Sequence, residues 1–276
     1  MILANARIAA GGRVLVPGWL KVEGGRISAL GSGTPTGPAD QDMSGHWLVP
    51  GFVDMHVHGA AGFSFDEASG TAVDAVTGHH LAHGTTTMLA SLVSAPVDVL
   101  EDRLRALAPY VANGTLAGVH LEGPFLSARH CGAHDPRALR APDRTAIAAL
   151  LDAAPGSLRL MTLAPELPEA VSAIEQITAA GVVAAIGHTG ADYETTLAAI
   201  AAGASVATHL YNGMPPILGR APGAGRRASR SRIGDHRAHR GRRPSAPCHS
   251  APHRGRGDGP PRIDHGRYGR DGQSGR

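Results

Sequence analysis

After Pro50 the chain alternates short apolar runs with segments of helical periodicity, and this alternation restricts the possible folds more than any other feature. Each helical segment places its apolar residues on one face, as Leu100, Leu104 and Leu107 do. Apolar strands that alternate with helices are typical of a parallel sheet covered on both faces. The six apolar runs are residues 52–58, 85–93, 116–122, 158–163, 182–188 and 205–211.

Six strand–helix units fit either an open, doubly wound sheet or part of an eight-stranded (β/α) barrel. The open sheet predicts a glycine-rich phosphate loop that connects an early strand to a helix. Residues 31–37 are rich in glycine, but they open no helix. We therefore predict an α/β fold, an incomplete TIM-like barrel over residues 50–220 with about six of the eight units.

Residues 1–49 show a different pattern, in which short strand-like segments are separated by paired glycines. The segments are 2–8, 13–16, 19–22 and 26–30, with turns at Gly11–Gly12 and Gly24–Gly25. This pattern predicts a small N-terminal β layer, part of a β-sandwich, ahead of the barrel.

The formal net charge of +3 averages two unlike parts of the chain. Residues 1–220 contain 12 Lys and Arg against 19 Asp and Glu, whereas residues 221–276 contain 14 Arg and 4 Asp. The large apolar residues of this tail are Ile233, Ile263 and Tyr268. Because so few apolar groups cannot offset the entropy lost on ordering, we expect an aberrant, disordered Arg/Gly/Pro-rich tail over 221–276.

The cysteine content and the hydropathy pattern bear on the compartment. The two cysteines, Cys131 and Cys248, are too few for a disulfide framework or a cysteine-based zinc site. No apolar run approaches the roughly 18–20 residues of a membrane span, and the first residues do not resemble a signal peptide. We expect a soluble protein of the cytoplasm with no membrane partner.

Metal-binding side chains stand at the ends of the predicted strands. Taken singly, each has an ordinary structural explanation, such as a hydrogen-bonded core histidine. Four separate strands nevertheless end in this way, and the carboxyl ends of barrel strands converge on one face. Nitrogen and oxygen donors there suit a catalytic divalent cation. The candidate ligands are His56, His58, Glu122, His188 and His209.

Three further histidines, His79, His80 and His83, fall on a predicted helix. His79 and His83 share a helical face, but no carboxylate follows at a metal-binding spacing. We interpret these histidines as surface or packing residues.

Four motifs follow one another along the chain: PGFVDMHVHG at 50–59, HLEGPF at 120–125, GHT at 187–189 and THLYNGMPP at 208–216. The first resembles the first barrel strand of the amidohydrolase superfamily, and the other three closely resemble motifs of the N-acetylglucosamine-6-phosphate deacetylase family within it. A lone His-x-His would resemble the superfamily only, whereas the combination is specific to the deacetylases.

The resemblance implies a role for each candidate residue. Glu122, His188 and His209 match the principal metal ligands of the family, and His56 and His58 match a pair that holds a second ion in some members. The residues that match substrate contacts are Ala133, His134, Asn212, Gly213 and Arg220. In the family, the arginine at the position of Arg220 reaches the substrate phosphate across a dimer interface, a role that suits the planar guanidinium.

The reaction implied by the resemblance is hydrolysis of the acetamide of N-acetylglucosamine 6-phosphate to glucosamine 6-phosphate and acetate. The implied cofactor is one or two divalent ions per subunit, Zn²⁺ first, with Fe²⁺, Co²⁺ or Mn²⁺ as alternatives. The implied assembly is a homodimer. Metal identity and the preference among N-acetyl amino sugar phosphates are left open.

One expected residue is missing from the sequence. In this family an aspartate in a Thr-Asp-Ala motif, at the end of the eighth strand, moves the proton between water and leaving nitrogen, and the chain has no such motif. Codons compatible with residues 264–267 permit Thr-Thr-Asp-Ala after a shift of one nucleotide. We interpret the tail as a frameshifted continuation, leave the catalytic residue unassigned, and expect the activity of this chain to be poor.

The sequence leaves other functions open beside a deacetylase. An inactive fragment is one, and a nucleic-acid-binding arm that uses the 14 Arg of the tail is another, although Tyr268 is its one residue suited to base stacking. Amidohydrolases of the dihydroorotase type use a carboxylated lysine on an inner strand. Lys21, the sole lysine of the chain, falls in the β layer, and Glu122 offers a carboxylate instead.

Overall fold

The computed structural model describes residues 1–216 and 223–225. The chain divides into a unit of residues 1–243 and a second unit of residues 244–276, and every described residue belongs to the first. The tail, which is predicted to be disordered, lies outside the described residues apart from 223–225. Arg220, the predicted phosphate contact, lies outside them as well.

The N-terminal residues form a small β layer. Strands β1 (Ile2–Ala10), β2 (Arg13–Glu23) and β3 (Arg26–Ser32) make an antiparallel meander, and β4 (Gln41–Asp42) and β5 (Trp47–Leu48) both pair in parallel with β1. Its tight turns fall at paired glycines with positive φ, the requirement of a two-residue hairpin loop. Segments 13–16 and 19–22, predicted as separate strands, belong to the one strand β2.

Between Phe52 and Ala207, six parallel strands and five α-helices alternate. The strands are β6 (Phe52–Val57), β9 (Thr85–Val93), β10 (Gly118–Glu122), β11 (Leu158–Leu163), β12 (Val183–Ile186) and β13 (Val206–Ala207). A hairpin of β7 (Gly59–Ala60) and β8 (Phe63–Ser64) lies between β6 and the first helix. The helices are α1 (Gly70–Ala82), α2 (Val97–Ala112), α3 (Arg144–Ala153), α4 (Ala170–Ala179) and α5 (Tyr193–Ala201).

The order of the six strands is the order of the sequence, β13-β12-β11-β10-β9-β6. Each crossover therefore leads to the next strand, as in a (β/α) barrel and unlike a doubly wound sheet, whose order reverses. Within the described part of the chain β6 and β13 are the edges, so the sheet is an open, curled half of a barrel. The prediction of an incomplete TIM-like barrel with an N-terminal β layer is confirmed.

The core lies between the sheet and one face of each helix. Leu100, Leu104 and Leu107 of α2 are fully buried, as the periodicity predicted. In α4 the buried face is formed by Ala170, Ala173, Ile174 and Ile177. Val171, predicted on that face, is 39% exposed because the helix presents the neighbouring alanines to the sheet instead. No helix among the described residues is long and apolar enough to cross a bilayer.

Replacing Leu104 by alanine should destabilise the fold by about 2–5 kcal/mol, because the removed methyl groups leave a cavity under α2. Val99→Ala on the same helix removes a 37% exposed side chain and should change stability by less than about 0.5 kcal/mol. Urea denaturation of the two variants measures both changes. Equal losses would show that the apolar face of α2 is not the packed face.

Candidate metal centre

The candidate ligands come from four segments of the half-barrel, all at the carboxyl ends of its strands. Glu122 is the last residue of β10, and His56 and His58 stand at the end of β6. His188 and His209 lie in the loops that follow β12 and β13. Side chains from segments far apart in the sequence are thereby brought to one site.

Glu122 occupies the centre of the site and is 4% exposed. Its Oε1 lies 3.1 Å from Nε2 of both His188 and His209. Its Oε2 lies 2.9 Å from Nε2 of His58 and 3.2 Å from Nε2 of His56. Each carboxylate oxygen thus faces one pair of the candidate ligands. The structure brings together all five residues that the sequence proposed as ligands.

Backbone carbonyls fix the tautomers of three of these imidazoles. Nδ1 of His58 lies 3.1 Å from the Ser91 carbonyl, Nδ1 of His188 2.8 Å from the His130 carbonyl, and Nδ1 of His209 2.9 Å from the Asn212 carbonyl. A carbonyl can only accept, so each Nδ1 carries the proton and donates it. The Nε2 lone pair of each ring is therefore directed at the Glu122 side of the site.

A divalent cation fits this donor set. Nε2 of His188 and Nε2 of His209 are 2.9 Å apart, and with both protons on Nδ1 neither nitrogen can donate to the other. Two lone pairs at that distance repel unless a cation lies between them and the carboxylate. Imidazole nitrogens combined with a carboxylate form a donor set used for Zn²⁺ and for neighbouring first-row metals.

His134 is also at the site, but its tautomer is the opposite one. The Ser94 backbone N–H donates to Nδ1 of His134 over 3.2 Å, so the neutral ring carries its proton on Nε2. That Nε2 lies 3.4 Å from Oε2 of Glu122. His134 therefore presents an N–H donor where the other imidazoles present lone pairs.

The electrostatics of the site favour an ionised Glu122. Burial raises the pKa of this carboxyl, but its interactions with the imidazoles of His134, His188, His209 and His56 outweigh burial and hold the pKa well below its usual range. Burial lowers the pKa of His209, and the adjacent Glu122 carboxylate more than offsets that effect and raises it, so positive charge, from a proton or a cation, is favoured beside the carboxylate. Burial lowers the pKa of His120, two residues before Glu122, to about 3, which keeps that ring neutral.

Two of the candidate ligands have left-handed backbone conformations that the sequence did not predict. The φ angle is 48° at His188 and 31° at His209, and such non-glycine conformations each cost on the order of 1–3 kcal/mol. The runs 182–188 and 205–211 were predicted as strands throughout. Their strands end at Ile186 and Ala207, because left-handed residues cannot continue a pleated strand.

Glu166, in the loop after β11, supports the His188 loop and was missed in the sequence. Its Oε2 accepts from Thr189 Oγ1 at 2.5 Å, and its Oε1 accepts from the Gly190 N–H at 2.6 Å. The available signal was its position just after a predicted strand end, the same rule that selected Glu122.

Three of the predicted substrate contacts, Ala133, Asn212 and Gly213, lie beside residues of the site. Ala133 precedes His134, and Asn212 contributes its carbonyl to the His209 ring. The Gly213 carbonyl accepts from the Thr189 N–H over 3.0 Å. His79, His80 and His83 lie on or just after α1, with the His79 and His83 ring centroids 4.6 Å apart.

Residues 47–224 match the model of the amidohydrolase family. The chain belongs to this family of metal-dependent enzymes. Within the family, it is similar to N-acetylglucosamine-6-phosphate deacetylases. The one from Bos taurus is 36% identical over 222 residues, which cover 77% of this chain and 52% of that protein. The one from Homo sapiens is 35% identical, over 79% of this chain and 56% of that protein.

The chain is also similar to solved structures of such deacetylases. The N-acetyl-D-glucosamine-6-phosphate deacetylase of Mycobacterium smegmatis is 46% identical and superposes with a TM-score of 0.80, over 82% of this chain and 60% of that one. A mutant of that enzyme, solved in complex with N-acetyl-D-glucosamine-6-phosphate, superposes with a TM-score of 0.79. The chain spans about half the length of the curated relatives that it matches.

Replacing Glu166 by glutamine should weaken metal binding by about 10-fold. The Glu166 carboxylate, which accepts hydrogen bonds from Thr189 and Gly190 and so positions His188, loses its charge in this variant. Zn²⁺ affinity, measured by competition with a chelator, checks this. Glu175→Gln, on the exposed face of α4, serves as the control, because the Glu175 carboxylate does not contact Thr189 or Gly190. Equal affinities for the two variants would contradict the role given to Glu166.

Proposed function

We propose that this chain provides the metal-binding part of an N-acetylglucosamine-6-phosphate deacetylase, which hydrolyses the acetamide of N-acetylglucosamine 6-phosphate to glucosamine 6-phosphate and acetate. The observation that carries the proposal is the buried Glu122 carboxylate, faced by Nε2 lone pairs of fixed tautomer. Similarity to the M. smegmatis enzyme, whose mutant was solved with N-acetyl-D-glucosamine-6-phosphate, supports the substrate class.

In this proposal Glu122, His188 and His209 hold the principal ion. His56 and His58, which share the other carboxylate oxygen, are the pair available to a second ion. We favour Zn²⁺, with Fe²⁺, Co²⁺ and Mn²⁺ as alternatives that the same donors accept. A cation bound there supplies a Lewis acid for the amide carbonyl and lowers the pKa of a bound water.

The protein's own side chains then orient the amide. His134 carries a proton on Nε2 and is 7% exposed, so it can donate to a carbonyl oxygen that gains charge during hydrolysis. Glu122 remains ionised and keeps the imidazoles around it oriented. The positions of Ala133, Asn212 and Gly213 beside these groups are consistent with contacts to the sugar, and Arg220 remains the predicted phosphate ligand.

In this proposal, no residue of the chain is assigned to the proton transfer to the leaving nitrogen. A deacetylase of this kind needs a general acid and base, and the sequence contains no Thr-Asp-Ala motif to supply it. We propose that residues 221–276 are read in a shifted frame and that the corrected frame yields a cytoplasmic homodimer with full activity.

The purified 276-residue chain loaded with Zn²⁺ should hydrolyse N-acetylglucosamine 6-phosphate about 10² to 10⁴-fold more slowly than the M. smegmatis enzyme, since it lacks the general acid and base. Glucosamine 6-phosphate release, with protein mass verified, measures this. Turnover equal to that of the relative would contradict the missing catalytic group.

Glu122→Ala and His209→Ala should each remove metal from the frame-corrected chain and lower turnover by at least about 100-fold. Metal analysis and the deacetylation assay are run on the same preparations. Glu175→Ala is the matched control and should retain both metal and turnover. Full metal content in either site variant would refute the proposed ligand set.

A further inference from the structure

A continuous line of hydrogen bonds crosses the half-barrel beside the metal-binding side chains. The Val57 N–H donates to Ser91 Oγ over 3.1 Å, and Ser91 Oγ lies 2.9 Å from Nδ1 of His120. Nε2 of His120 lies 2.9 Å from Oγ1 of Thr162, which lies 2.7 Å from Oγ1 of Thr208. We call Ser91, His120, Thr162 and Thr208 the polar belt. It joins β6, β9, β10, β11 and the end of β13.

The belt is enclosed. Ser91, His120 and Thr162 are 0% exposed and Thr208 is 5% exposed. Buried hydroxyls and imidazoles contribute little net stability even when they are hydrogen-bonded, and apolar groups of the same shape serve a core equally well. A chain of four such groups in the middle of an apolar sheet therefore points to a requirement other than stability.

Each belt contact is next to a candidate ligand. Val57 lies between His56 and His58, and the Ser91 carbonyl accepts from Nδ1 of His58. His120 is two residues before Glu122 on β10, so both side chains point to the same side of the sheet. The His120 ring also meets the His56 ring edge to face, with centroids 5.0 Å apart.

The remaining belt residues complete the connection. Thr208 directly precedes His209, whose loop brings the last ligand to Glu122. Thr162 lies on β11 between His120 and Thr208, and β11 carries none of the five candidate ligands. Thr162 is thus the link through which the β6 and β10 ligands are tied to the ligand after β13.

We propose that the polar belt sets the relative positions of the strands so that the five ligand side chains meet at the metal centre, and that Thr162 is a positioning residue for that centre. This rests on the proposed metal site. A hydrogen bond holds its donor and acceptor atoms at a separation of about 2.5–3.2 Å with a preferred direction, a constraint on side-chain positions that apolar packing alone does not impose. A misplaced ligand shell typically weakens metal binding by about 10 to 100-fold.

The test compares two buried threonines of the full 276-residue chain. Thr162→Val breaks the belt. Thr196→Val in α5 removes another 0% exposed hydroxyl, which donates to the Asp192 carbonyl at 2.7 Å away from the belt. Co²⁺ is the probe, because its visible absorption reports coordination directly and needs no turnover. Affinity comes from titration, and stability from urea denaturation of the same proteins.

Thr162→Val should weaken Co²⁺ binding by about 10 to 100-fold and change the visible band, and Thr162→Ser should restore both. Thr196→Val should lose stability while binding Co²⁺ like the original chain. Equal Co²⁺ affinity and spectrum for Thr162→Val and the original chain would overturn the belt while leaving the metal site intact. No Co²⁺ binding by the original chain would overturn both.

If Thr162→Val does not fold, Ser91→Ala tests the belt from its other end, since it removes the partner of His120 Nδ1 with a smaller change in volume. Weaker Co²⁺ binding with retained far-ultraviolet dichroism supports the proposal. Unchanged Co²⁺ binding refutes it.

Discussion

A buried carboxylate at the end of β10 is the constraint on which the rest of the site depends. Removing an ionised carboxylate from water costs several kcal/mol, so hydrogen-bond donors or a cation around it must offset that cost. Four imidazoles lie within 3.2 Å of Glu122, and three of them are held with lone pairs directed inward, so a cation between these lone pairs and the carboxylate meets this requirement. Such a site is stable only when positive charge is present within it.

The half-barrel provides the geometry for this arrangement. Its strands run parallel and in sequence order, so every carboxyl end faces the same way. The helices bury one face each, whereas the candidate ligands lie at the strand ends or just beyond them. The left-handed conformations at His188 and His209 fit this division, since strain is tolerated where the packed sheet and the ligand shell both fix the backbone.

The sequence was sufficient for the architecture and for the identity of the central residues. The alternation of apolar runs and helical periods predicted the parallel strands, and side chains at the strand ends predicted the five residues that meet. The tautomers could not be predicted, because His134 depends on the backbone of Ser94, 40 residues away, and His188 on the carbonyl of His130, 58 residues away. The same is true of the polar belt, whose members look like ordinary core residues until their strands are placed side by side.

Zinc K-edge absorption spectroscopy of the purified chain tests most directly whether the strand ends form a metal centre. The account predicts zinc retained after desalting, with a nitrogen and oxygen shell at about 2.0–2.1 Å and the multiple-scattering pattern of imidazole. Loss of the metal on desalting would contradict the account. A sulfur shell at about 2.3 Å would contradict it equally, because the metal would then be bound through Cys131 or Cys248 and not at Glu122.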